Sequence, residues 1–262
     1  LDAELVLWPT ADRFLPGYLN GVPKMQVLVS ATTTSKHISQ NGEFRLITLK
    51  DVDLPSLNIT ATAEHTVGLI WALTRNIPAA LKRVERGYWN RSNMPGAKML
   101  SRMSCLIVGN GRIAGLVWDR LYKLCAAEMC SPAEAISRLE HYHYDIVTLH
   151  IPPADKPWAD DELFAQASFD YLINTSQGDS VDEWAVVSAL ESGLLKGYAA
   201  DCLHGEYEDG FKLALNPLWQ KQQDNYNILL TPHIGGSTID AWRDTQLAVV
   251  RKAIEVLRGT NG

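Results

Sequence analysis

From residue 105 onward, short β-branched runs alternate with helix-period segments, and this pattern constrains the fold more than any other feature of the chain. Such alternation is what parallel strands joined by crossover helices produce. Six runs qualify, at 105–108, 126–130, 146–150, 171–174, 198–202 and 228–231, which predicts an α/β class with a doubly wound parallel sheet. Between the first two, Ile113, Leu116, Val117, Leu121 and Leu124 recur at helical spacing and give that helix one apolar face. Residues 182–192 read as a helix closed by Gly193, a left-handed terminator. The last long helix starts with Ser237 or Thr238 as N-cap, sets Ala241, Val249, Ala253, Ile254 and Leu257 mostly on one side, and ends at Gly259.

Upstream, 4–8, 25–30 and 44–49 read as strands of a second, smaller α/β region. A helix over 63–75 follows, capped by Thr60 or Thr62, with Val67, Ile70, Trp71 and Ile77 on one face. The expected division is 1–60 with 237–262 as one lobe and 61–236 as the other. Barely twenty residues run from the start of the second strand to Ile146, which leaves little room for a further strand and helix.

Composition excludes several classes. With 24 Lys+Arg against 30 Asp+Glu the net charge is −6, and 46% of residues are hydrophobic, so intrinsic disorder is disfavoured. There is no basic block to neutralise phosphates, so no nucleic-acid partner is expected. No apolar run approaches the roughly 20 residues that span a bilayer, and the N-terminus lacks a basic-then-apolar leader, so the expectation is a cytoplasmic protein without membrane contact. The four cysteines are too few for a disulfide scaffold and have no metal-ligand spacing, so reduced, buried thiols and no metal are expected.

The first strand runs straight into Gly109-Asn-Gly111-Arg112-Ile113-Ala114 and then into an amphipathic helix. The first glycine permits the tight turn, the second lets backbone approach a pyrophosphate, and Ala114 is small enough for close helix-to-strand packing. Amides at the helix N-terminus, around Arg112 and Ile113, would face the phosphates. The usual companion is an acidic residue about 20 positions on, which binds the ribose 2′-hydroxyl. Here that place holds Cys130, Ser131 and Pro132, with Glu128 read as a solvated side chain pointing out of its strand. NAD is the default cofactor, with NADP not excluded, and Ser131 takes the ribose position.

Three further segments end predicted strands, where open α/β sheets place their ligands. They are 173–178 (Ile-Asn-Thr-Ser-Gln-Gly), 200–206 (Ala-Asp-Cys-Leu-His-Gly-Glu) and 231–236 (Thr-Pro-His-Ile-Gly-Gly). Together with Thr-Ala-Glu-His at 62–65 and the glycine loop, this order resembles the D-isomer-specific 2-hydroxyacid dehydrogenase family, over nearly the whole chain. The resemblance implies a Rossmann-type sheet plus a smaller flavodoxin-like lobe, and hydride transfer between a nicotinamide and a 2-hydroxy or 2-keto acid. By the same resemblance His233 is the acid/base, Glu206 orients it and raises its pKa, and Asp201 contacts the nicotinamide amide. Thr175, Ser176 and Gly235 line the cofactor. A histidine near pKa 6.5 both donates and accepts protons, and a carboxylate stabilises its cationic form, so the pair fits the chemistry.

The chain departs from the family pattern in several places. Gln177 stands where the family has a substrate-gripping arginine, and an amide carries no charge and makes no fixed two-pronged ion pair. Charged hydrogen bonds are worth about 1.5–3 kcal/mol against about 1 for neutral ones. Activity toward ordinary 2-keto acids is therefore expected to fall by on the order of a hundredfold. Thr32, Thr33 and Thr34 match the substrate loop whose amides hold the carboxylate. Thr34 replaces a common glycine, and Lys36 is the candidate compensating cation, whereas Arg112 is assigned to the pyrophosphate. His37 and His65 read as structural. The family normally carries a further strand and helix before the point where this chain begins, which predicts a truncated gene or omitted segments. Ile77, Leu81, Val84, Tyr88, Trp89 and Met94 form an apolar arm that implies a homodimer. The competing reading is a nucleotide-binding homologue with little turnover, acting as a scaffold or sensor, which Gln177 and Thr34 favour.

Overall fold

The structure is a computed structural model that describes residues 5–8, 26–30, 38, 44–52, 57–94 and 96–260. It divides into two compact units, Leu1–Ala61 with Gly236–Gly262, and Thr62–Gly235.

In the first unit, β1 (Leu5–Trp8), β2 (Val27–Ser30) and β3 (Arg45–Ile47) form a parallel sheet in that order. Alternation along β2 explains how both its faces are buried. Val27 and Val29 pack with Val249 and Ala253 of the last helix, while Leu28 packs with Ile38. That helix, α8 in chain order (Ile239–Thr260), is capped by Thr238, whose hydroxyl accepts from the Ala241 amide at 3.3 Å. It runs one residue past the expected stop at Gly259, within the fraying of a last turn.

Helix α1 (Leu57–Thr74) starts earlier than the sequence suggests, so Thr60 and Thr62 lie inside it. The Thr62 carbonyl accepts from the Thr66 hydroxyl at 2.8 Å. Ile77 does not extend its apolar face. Asn76, at φ 54°, takes the left-handed conformation that asparagine tolerates, and Pro78 opens α2 (Ile77–Glu85) as a new helix.

The second unit carries β4 (Ser104–Val108), α3 (Arg112–Leu121), β5 (Ala126–Cys130), α4 (Pro132–His141), β6 (Tyr144–Leu149), α5 (Asp161–Gln166), β7 (Phe169–Asn174), α6 (Glu183–Ser192), β8 (Gly197–Ala200), α7 (Pro217–Gln223) and β9 (Ile228–Leu230). The strands are all parallel, in the order β5-β4-β6-β7-β8-β9. One face, with Cys105, Ile107, Ile146, Ile173 and Ala199, packs under α1 and α3. The other, with Val108, Val147, Leu172 and Tyr198, packs under α4, α5 and α6. The interval after β5 holds a ten-residue helix, α4, because Ser131 caps it and Pro132 starts it directly after the strand. Gly193 closes α6 at φ 79°, and Asp182 caps it.

The strand order reverses direction between β4 and β6, which opens a crevice at their carboxyl ends, where doubly wound sheets take ligands. All four cysteines are buried and unbridged. Among the described residues no helix is long and apolar enough to cross a membrane.

Candidate active site

Four loops leave the carboxyl ends of β4, β7, β8 and β9, and they carry most of the residues singled out above, while Ser131 follows β5. The first is the glycine loop. Gly109 has φ 127°, and a Cβ there would lie 2.3 Å from the His150 carbonyl oxygen, so only glycine fits between β4 and β6. Its amide donates to the Cys130 carbonyl at 2.8 Å. Gly111 is the N-cap of α3 and offers no side-chain oxygen to the first turn, and nothing stands within 4 Å of where its Cβ would be. The amides of Arg112 and Ile113 therefore begin a helix over an open backbone cradle, which fits a pyrophosphate. Across the crevice, His150 buries Nδ1 without a hydrogen-bond partner, and burial pushes its pKa down to about 3, so the ring is neutral.

Ser131 lies beside this loop, with its hydroxyl engaged in the α4 capping box: it donates to Glu134 at 2.7 Å and accepts from the Glu134 amide at 3.3 Å. Glu128 is exposed, as expected of a solvated side chain. It pairs with Arg138 and accepts from the Tyr144 hydroxyl at 3.1 Å.

The β7 loop is held by its own first residue. Asn174 donates from Nδ2 to the Gln177 carbonyl at 2.8 Å and accepts from the Ser176 amide and hydroxyl at 3.0 and 2.7 Å. Thr175 is buried and hydrogen-bonded to Thr66 of α1 at 2.8 Å. Gln177 is half-buried. Beside it, a Cβ on Gly178 would stand 2.2 Å from the Leu203 carbonyl, so this loop lies directly against the β8 loop that carries Glu206.

Asp201 directly follows β8 and organises the β9 loop. One carboxylate oxygen accepts from the Thr231 hydroxyl at 2.6 Å and the Ile234 amide at 2.9 Å, and the other accepts from the Gly235 amide at 2.7 Å. His65, expected to be structural, donates to the Thr231 hydroxyl at 3.0 Å and lies 3.3 Å from Asp201. Burial pushes the Asp201 carboxyl up, but the bonds from His65, Thr231 and Gly235 outweigh it and hold the acid below its usual range. The turn so clamped puts His233 at φ 53°, left-handed for a non-glycine residue.

The His233 ring meets Glu206 at 2.6 Å, Nδ1 to Oε1. A carboxylate only accepts, so the proton sits on Nδ1 and Nε2 is left to exchange. Burial lowers the His233 pKa, and the hydrogen bond and charge of Glu206, with Asp201 behind, outweigh it and raise it above the ordinary histidine value. The arrangement can hold a dinucleotide and move one proton beside it. Tyr207 also reaches this nitrogen, at 3.1 Å. Sequence reasoning missed it, since a tyrosine following the glutamate carries no motif signal. Thr32, Thr33, Thr34, Lys36 and His37 lie outside the described residues.

At the opposite end of the sheet, His143, Asp145 and Asp170 converge. Lys98, 2.6 Å from Asp145, and Lys196, 2.8 Å from Asp170, already supply the positive charge there.

Comparison with known proteins gives the family. Residues 67–235 match the family described as D-isomer specific 2-hydroxyacid dehydrogenase, NAD binding domain, and the chain belongs to that family. It is similar to the D-3-phosphoglycerate dehydrogenase of Pongo abelii, 26% identical over 274 residues, covering 98% of this chain and 49% of the relative. It is also similar to the D-specific alpha-keto acid dehydrogenase of Enterococcus faecium, 29% identical over 222 residues, covering 79% of this chain and 69% of the relative. Among solved structures, D-2-hydroxyisocaproate dehydrogenase superposes with a TM-score of 0.79 at 18% identity, covering 97% of this chain and 83% of the other. The chain spans about half the length, or less, of the phosphoglycerate dehydrogenases it matches.

Proposed function

We propose that this chain acts as an NAD-dependent oxidoreductase of the D-2-hydroxyacid dehydrogenase type, exchanging hydride between nicotinamide and a 2-hydroxy or 2-keto acid. The observation that carries the reading is the 2.6 Å bond between His233 and Glu206, on loops that share a sheet edge with the glycine loop. Bound NAD supplies the hydride acceptor or donor. His233 Nε2 gives a proton to the carbonyl oxygen in reduction and takes it back in oxidation, and Glu206 stabilises the cationic ring. Gly109, Gly111, Arg112 and Ile113 cradle the pyrophosphate and Ser131 stands at the ribose. Thr175, Ser176, Asp201 and Gly235 line the nicotinamide end. Gln177 contacts the substrate as a neutral donor, and the family resemblance assigns the carboxylate to Thr32, Thr33 and Thr34. In this reading 61–236 is the dinucleotide domain, and 1–60 with 237–262 is the substrate lobe.

The test is NADH and NADPH oxidation with a panel of 2-keto acids, in the wild type and in Gln177→Arg. Restoring a charged, bidentate contact raises kcat/KM by on the order of a hundredfold. Gln177 favours one second reading, a nucleotide-binding homologue with little turnover that serves as a scaffold or sensor. That reading wins if neither protein turns over and His233→Ala leaves nucleotide binding unchanged. Failure to bind either nucleotide sinks both.

The chain acts as a homodimer joined through the arm. Helix α2 buries none of its residues, and Leu81 at 58% exposure and Trp89 at 88% support a face that a second copy covers. Four buried, unbridged thiols support a reducing, cytoplasmic setting.

A further inference from the structure

Tyr207 follows Glu206 on the loop after β8, and the chemistry above gives it no part. Its hydroxyl lies 3.1 Å from His233 Nδ1, the nitrogen that Glu206 holds at 2.6 Å. The two rings lean on each other, with centroids 5.8 Å apart and planes tilted by 49°. We propose that Tyr207 is a positioning residue for the acid/base histidine: its phenolic oxygen and Glu206 form a two-point cradle that shares the Nδ1 proton and leaves Nε2 as the exchanging nitrogen.

Three features of the site support this. A ring held by a single hydrogen bond can pivot about it, whereas a second oxygen on the same N–H, together with an aromatic face, fixes the ring plane. The clamp beneath acts on backbone, since Asp201 holds the Ile234 and Gly235 amides, whereas the imidazole of His233 is held by the side chains of Glu206 and Tyr207. Finally, Tyr207 does not compete for the proton. Burial raises its pKa first, and Glu206, Cys202 and Asp201 raise it further, so the phenol stays neutral and its oxygen remains an acceptor.

The charged and titratable groups around the ring, among the described residues, are Glu206, Tyr207, Cys202 and Asp201 on β8 and its loop, with His65 of α1 behind Asp201. All but Tyr207 are unchanged by Tyr207→Phe, which removes the oxygen and keeps the ring.

The role in turnover rests on the dehydrogenase reading, but the cradle does not, so the primary readout is an NMR titration of His233 in the protein without substrate. Its resonances are assigned by their loss in His233→Asn. One neutral hydrogen bond corresponds to a downward shift of about half to one pH unit in Tyr207→Phe. A new Nε2–H population is also expected in the nitrogen spectrum. Glu206→Gln gives a larger downward shift. In turnover, Tyr207→Phe lowers kcat about three- to tenfold and leaves KM for NADH unchanged. A Tyr207→Phe protein with a native melting profile whose His233 titrates like the wild type overturns the proposal. So does a titration that moves only in Tyr207→Leu, because the ring and not the hydroxyl would then be responsible. If His233 shifts as expected while no variant, nor the wild type, reduces a keto acid, the cradle stands and the dehydrogenase reading falls.

Discussion

Replacing Asp201 by asparagine tests how the acid/base loop is held. The carboxylate receives Thr231 Oγ1 and Ile234 N on one oxygen and Gly235 N, at 2.7 Å, on the other. Asparagine can keep its oxygen toward the first pair, but its NH2 must then face the Gly235 amide, donor against donor. A charge-assisted bond is worth about 1.5–3 kcal/mol, and stranding a buried donor costs about 1–3, so the expected loss is about 2–4 kcal/mol. For a protein of this size that lowers Tm by roughly 5–15 °C. The pH dependence has a definite sign. The folded Asp201 is more acidic than the unfolded one, so its stabilisation is complete above the unfolded value, about 3.9, and is lost as pH falls through the folded value. The gap in Tm between wild type and Asp201→Asn, followed by tryptophan fluorescence, must therefore be widest near neutrality and close on acidification below about pH 4. A gap under about 2 °C at pH 7, or one that widens in acid, would refute the clamp.

Two other outcomes are expected. Gly178→Ala places a Cβ 2.2 Å from the Leu203 carbonyl and forces the β7 and β8 loops apart. It should cost about 3 kcal/mol in denaturant unfolding and lower kcat more than it raises KM for NADH; unchanged unfolding would show that the loops yield freely. Leu81→Glu puts a charge on the exposed face of α2 and should shift sedimentation from dimer to monomer while the circular dichroism of the folded chain is retained, whereas a wild type that already sediments as a monomer removes the interface.

What the sequence revealed and what it hid have a common physical basis. Strands β4, β6, β7 and β8 of the larger sheet are buried on both faces and read as largely apolar runs, so 105–108 and 171–174 were legible from residue type alone. The glycine loop was legible because backbone geometry, not distant packing, selects its residues. The break at Asn76 was hidden because Ile77 sits seven residues after Ile70, in phase with the apolar face of α1, and periodicity does not register a single left-handed residue. The exposure of Glu128 was legible but its ion pair was not, since Arg138 lies ten residues on, in α4. Around the histidine, Glu206 was readable through the family's motif order. Tyr207 and the donors to Asp201 were not, since their roles exist only after segments far apart in sequence have met.

That distance has a kinetic consequence. Thr231, which starts the histidine loop, is fixed from one side by His65, 166 positions earlier in the chain, and from the other by Asp201, thirty positions earlier. Contacts of such long sequence separation form late, after loop closure has been completed elsewhere. A chain emerging from the ribosome can fold its glycine loop and first strands while the proton-exchanging turn is still unmade. In the proposed reading, proton exchange at His233 therefore waits until the last strand of the large sheet is in place, and an interrupted product would present a nucleotide crevice without chemistry.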